Sequence, residues 1–203
     1  MSRQIEFEYT DPLDLVWIHA ARQAGIEVQR DPEVNASWDG CGVLRIGTPD
    51  VLDADDCLAQ MILHEMCHAL VAGKERFRSP DWGLEYENGG DVVYEQAALR
   101  LQAALADPFG LRRFMAATTI YREYYESLDD LPLAGDEMAA TLARQGLERA
   151  QQNGWLAIIE NALGATRSIA GIVAACANGS SLWGQVSAES RRHDSGKGNF
   201  VET

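Results

Sequence analysis

Apolar positions first recur at roughly helical spacing between Asp11 and Gly25, at Leu13, Leu15, Val16, Ile18, Ala21 and Ala24. Asp11-Pro12 suits a helix start and Gly25 a stop, so the spacing predicts a first helix there. The period then shortens. Ile26 to Gln29 and Gly42 to Gly47 are brief Ile- and Val-bearing runs between turn formers, as expected for strands of a small sheet, with Gly40-Cys41-Gly42 as a turn between them. A helical run resumes after Asp53, the expected N-cap, where Asp55 and Asp56 favour the positive end of the helix dipole; it continues to about Ala72, and Gly73 stops it.

A polar connection from Lys74 to Gly90 follows, and its middle, Trp82 to Tyr86, fits an edge strand or an ordered loop. Helical spacing returns from Asp91 to Leu105, and further helices are expected from Leu111 to Leu128, Asp136 to about Gln152 and Trp155 to Cys176. The expected class is α+β and predominantly helical, a small sheet against a helical body. Beyond Trp183 the chain turns polar and Gly/Ser-rich, which predicts one domain over 1–186 and a mobile tail over 187–203.

The length of 203 residues and 46% hydrophobic content suit one domain with a sizeable core. Asp and Glu outnumber Lys and Arg by 31 to 17, giving a formal charge of −14 that repels phosphate backbones and anionic lipid surfaces. Neither a nucleic acid nor a membrane is an expected partner. The N-terminus has no apolar stretch of the secretory kind, and the apolar run Ser168 to Ala177 is about half the ~20 residues of a membrane span, so a cytoplasmic location is expected. Cys41, Cys57, Cys67 and Cys176 lack Cys-x-x-Cys spacing and read as free thiols.

Within the second predicted helix stands His64-Glu65-Met66-Cys67-His68. Residues four apart lie one turn above the other on one face, so His64 and His68 can aim imidazole nitrogens at one point. Glu65 follows about 100° around the helix, near enough to meet a water on a metal without taking a coordination position; in a hydrolase it would be the general base. The neighbours Leu58, Ile62, Met66, Leu70 and Val71 are apolar, so these polar groups sit where they need partners. Two His do not complete a protein ligand set. Glu95, opening the next helix, is the candidate third ligand, with Asp91 one turn earlier as its competitor. His19 reads as a helix-surface residue and His193 lies in the tail.

The stretch from His64 through Ala72-Gly73-Lys74-Glu75-Arg76 to Asp81-Trp82-Gly83-Leu84-Glu85-Tyr86 resembles the bacterial elongation factor P hydroxylases, as does Tyr94-Glu95-Gln96 with Gln102-Ala103. The resemblance spans roughly Asp53 to Pro108. It implies a zincin-like fold akin to zinc peptidases, ligand roles for His64, His68 and Glu95, and hydroxylation of a modified lysine on a translation factor. It further implies that Arg76, Asp81 and Tyr86 line or brace the site.

Two His and one carboxylate suit a catalytic zinc and equally the facial triad of a non-haem iron oxygenase, so the expected cofactor is one divalent ion, Fe(II) or Zn(II). The resemblance favours oxidative modification of a protein or peptide side chain. The alternative is a zinc peptidase using Glu65 as base, with Tyr86, Tyr94 or Arg76 as oxyanion stabiliser. A third class, a metal-stabilised binding module, needs a fourth protein ligand, for which Cys57, on the helix face of Met61 and His64, is the candidate. The acidic surface suits a basic substrate.

Overall fold

The computed structural model describes residues 6–84, 91–116 and 119–186. Helix α1 (Pro12–Gln23) begins as expected, with the Asp11 carboxylate accepting from the Leu13 amide at 2.8 Å. Three short strands follow: β1 (Glu27–Arg30), β2 (Ala36–Trp38) and β3 (Val43–Ile46). The sheet order is β1-β3-β2, parallel between β1 and β3 and antiparallel between β2 and β3, with Trp38 opposite Leu44. Strand β2 was not expected. Gly40-Cys41-Gly42 therefore turns the chain from β2 into β3, and β1 reaches β3 by a crossover.

Helix α2 (Leu58–Arg76) carries the His64-to-His68 motif and runs through the middle of the molecule, against α1, α3 (Val92–Ala106) and α5 (Met138–Asn153). Every residue from Leu58 to Val71 is buried. Burying side chains the size of Leu, Ile or Met contributes roughly 1.5–3 kcal/mol each, which offsets the cost of holding His64, Glu65 and His68 out of water. The helix starts later than expected: its N-cap is Cys57, not Asp53, and the buried Gln60 side chain reaches back to the Cys57 amide. At Gly73 (φ 79°, ψ 178°) the helical path breaks, in a conformation that favours glycine. Arg149 of α5 donates to the carbonyls of Leu70 and Val71 just before the break, so α5 caps what Gly73 leaves open.

Among the described residues, helix α4 (Arg122–Ser127) is all that forms of the helix expected over 111–128. Two buried glutamines explain this. Gln60 donates to the carbonyls of Phe114 and Ala116, and Gln102 donates to that of Met115, so these carbonyls face side chains instead of a helical ladder. Helix α6 (Trp155–Val173) packs on α1, where the Thr166 hydroxyl accepts from the Trp17 indole at 2.9 Å. With a mean hydropathy of 1.3 it is long and apolar enough to cross a membrane by length and composition, a feature the shorter run 168–177 did not reveal. The architecture is α+β and predominantly helical, as expected. The tail over 187–203 lies outside the described residues.

Candidate metal centre

Helices α2 and α3 lie side by side, and that packing brings Glu95 of the first turn of α3 against the histidine face of α2. One ligand atom each from His64, His68 and Glu95 fall within 4.8 Å of one another, and all three residues are buried. His68 Nε2 lies 3.0 Å from His64 Nε2 and 3.0 Å from Glu95 Oε2, while His64 Nε2 is 3.5 Å from Glu95 Oε1. Ligand atoms about 2.1 Å from a shared ion would sit roughly 3.0–3.4 Å apart in octahedral or tetrahedral geometry, so these separations fit a divalent ion of either preference.

The proton inventory makes the same case. Gln102 is fully buried; its amide nitrogen donates to the Met115 carbonyl, which turns its Oε1 toward His64 Nδ1 at 2.9 Å. An oxygen there requires that His64 Nδ1 carry the proton, so the Nε2 lone pair faces the cluster. That lone pair and Glu95 Oε2, each 3.0 Å away, converge on His68 Nε2, which has at most one proton to offer, while Glu95 Oε1 lies 3.5 Å from the unprotonated His64 Nε2. Glu95 Oε1 and His68 Nδ1 are buried without a hydrogen-bond partner among the described residues. A buried carboxylate oxygen with no donor, beside two imidazole nitrogens, is a donor set that a cation satisfies. Gln102 acts on the ring of His64 as metal-site partners do, fixing its tautomer and orientation.

Burial opposes charge at both ends of the His68–Glu95 pair, and their mutual attraction overrides it. Despite burial, His64 nearby, the hydrogen bond from His68 and a contact with Thr119 hold Glu95 down at about 2. Despite complete burial, the carboxylates of Glu95 and Glu65 raise His68 above its ordinary value.

Glu65 is buried but outside the ligand cluster, and its Oε2 accepts from the Trp82 indole nitrogen at 2.8 Å. Trp82 belongs to a short 3-10 turn (Pro80–Gly83), not an edge strand. Its ring stacks on Trp38 at 4.5 Å and 8°, and Phe77 closes on both. Asp81 lies outside the ligand set and accepts from the Trp38 amide at 2.9 Å, bracing the turn against β2. Arg76 stands over the Tyr94 ring at 4.3 Å and reaches Asp91 at 3.5 Å, tying the end of α2 to the start of α3. Asp91 is thereby placed at the N-cap of α3, outside the cluster that Glu95 joins. Tyr86 lies outside the described residues.

Cys57 is the N-cap of α2 and lies outside the cluster, and burial pushes its thiol up to about 11. Burial likewise raises the Cys67 thiol. Sequence reasoning missed Gln102 and Trp82 as parts of the site. For Gln102 a signal was present, a polar residue seven positions after Glu95 and so on the same face of an apolar helix. For Trp82 none was, because its partner is set by the turn. No known protein family model matches the chain, and neither a curated protein nor a solved structure matches it.

Proposed function

We propose that this chain is a metal-dependent enzyme with a zincin-like centre, in which His64, His68 and Glu95 hold one divalent ion and Glu65 is the reacting carboxylate. The observation that carries this reading is the convergence of a buried carboxylate and two imidazole nitrogens with fewer protons than lone pairs. Three protein ligands leave coordination positions open, as catalytic sites do and structural sites do not. A bound ion would supply a Lewis acid if it were zinc, or redox chemistry with dioxygen if it were iron. Gln102 orients His64, Trp82 orients Glu65, and the apolar helices exclude water around both.

The resemblance over residues 53–108 favours the oxidative branch, hydroxylation of a side chain on a protein or peptide, and the net charge of −14 favours a basic one. A specific observation supports a hydrolytic second reading. Glu65 is held beside the ligand set without joining it, which is where a general base for water belongs.

Elemental analysis tests the centre itself. Protein supplied with both iron and zinc and purified without oxygen should hold near-stoichiometric metal, and His64→Ala/His68→Ala should hold none; equal metal in the two would refute the site. Iron in the wild type directs the search to protein hydroxylation. On protein or peptide substrates, Glu65→Gln should abolish hydrolysis with metal retained, and an active variant would eliminate the hydrolytic branch.

A further inference from the structure

Three consecutive residues turn left-handed beside the metal centre: Asp81 (φ 46°, ψ 38°), Trp82 (φ 58°, ψ 18°) and Gly83 (φ 64°). Only the last is glycine. Asp81 and Trp82 are the only non-glycine residues with positive φ among those described, and a bulky Trp is a poor occupant of that region. Such strain persists only where the surroundings enforce it, and it gathers at functional sites. Here the enforcement is visible. The Asp81 carboxylate accepts from the Trp38 amide, the Trp38 indole donates to the Phe77 carbonyl at 2.8 Å, and the Trp38 ring stacks on Trp82. Gly40 approaches so closely that a Cβ there would stand 2.8 Å from the Arg78 carbonyl and 3.0 Å from Pro80. Thus β2 and its following turn clamp the left-handed segment, and what the clamp delivers is the Trp82 N–H, at 2.8 Å from Glu65 Oε2.

We infer that Trp82 is a positioning residue that keeps Glu65 out of the metal's coordination sphere, and so keeps the centre open for chemistry. The inference rests on the reading of His64, His68 and Glu95 as metal ligands. Helix spacing alone sets Glu65 about 100° off the ligand face, yet its carboxylate is close enough to act on His68, its side-chain torsions leave it free to swing in, and a carboxylate is a good ligand for the divalent ions concerned. A fourth protein ligand would convert an open site to the closed form typical of structural metals. The indole N–H opposes that by holding Oε2 with a charge-assisted hydrogen bond, and the stack on Trp38 prevents the donor from following the carboxylate.

The test uses Co(II) added to the full chain and read by visible absorption and by competition with a chelator. Trp82→Phe keeps an aromatic ring against Trp38 and removes the donor. It should change the Co(II) spectrum and raise Co(II) affinity about tenfold, as Glu65 joins the ion as a further ligand. Adding Glu65→Gln to Trp82→Phe should restore the wild-type spectrum, whereas Glu65→Gln alone should leave it unchanged. A Trp82→Phe spectrum and affinity matching the wild type overturn the inference while leaving the metal centre standing. Failure of the wild type to bind Co(II) overturns the metal reading itself, and this inference with it. Should Trp82→Phe not fold, 15N-labelled indoles in the wild type and in Glu65→Gln decide: one of the five tryptophan signals should shift when the carboxylate becomes an amide, and no shift overturns the inference.

Discussion

Replacing Gln102 by Met separates the role of the ligands from the role of the group behind them. Gln102 is fully buried, accepts from His64 Nδ1 at 2.9 Å and donates to the Met115 carbonyl. Methionine keeps the length and volume and deletes both partners. It leaves the His64 N–H and the Met115 carbonyl buried and unpaired, at about 1–3 kcal/mol each. The sum, about 2–6 kcal/mol, is a large part of the roughly 5–15 kcal/mol by which a domain is stable. For a chain of this length the melting temperature should fall on the order of 10 °C, read by circular dichroism on the metal-free protein. His64 also loses the bond that fixes its tautomer, so zinc affinity measured against a chelator should drop about 10- to 100-fold. Gln102→Glu distinguishes the two effects. Its carboxylate still accepts from His64 but sets an oxygen against the Met115 carbonyl, so stability should fall while most metal affinity remains. Wild-type zinc affinity in Gln102→Met would refute the argument that this amide organises the centre.

Metal-free protein should be most stable between about pH 4.5 and 6.5 as far as the His68–Glu95 pair decides it. Glu95, held down at about 2 from its ordinary 4.5, contributes stability that is lost as the pH falls through that interval, whereas His68, raised from 6.5, contributes stability that is lost as the pH rises above it. Denaturant titrations across pH 2–9 check this, and Glu95→Gln should flatten the profile; a wild-type profile already flat above pH 6.5 would refute it. Asp81→Ala should cost about 1–2 kcal/mol by losing the bond to the Trp38 amide in a left-handed position, while Asn, which tolerates that region and keeps an acceptor, should recover most of it in the same melts. Gly40→Ala should destabilise by at least about 1–2 kcal/mol, since φ is +75° and the new methyl meets the Arg78 carbonyl at 2.8 Å; an unchanged midpoint would show that the β2–β3 turn does not press on the Trp82 turn.

The sequence by itself determined the helices whose apolar spacing, N-cap and stop agree, above all α1 and the run of α2 up to Gly73. It also determined that His64 and His68 share a face, because four-residue spacing on a helix is local geometry. Where local signals competed with distant partners, it misled. Asp53 looked like the N-cap of α2, yet Gln60 reaching the Cys57 amide sets the start, and the helix expected over 111–128 yields its carbonyls to Gln60 and Gln102, more than 50 and 13 residues away in the chain. Strand β2 is three residues long, too short to show a period of its own, and exists because β3 pairs with it.

Glu95 was a candidate by residue type; only the packing of α3 on α2 set its oxygens within 3.0–3.5 Å of the histidines and turned Asp91 away to Arg76. The hold on Glu65 belongs wholly to the tertiary structure. It depends on a strand, a glycine turn and a strained tryptophan drawn from separate parts of the chain, and no spacing rule encodes a conformation that the local backbone disfavours and only its neighbours enforce.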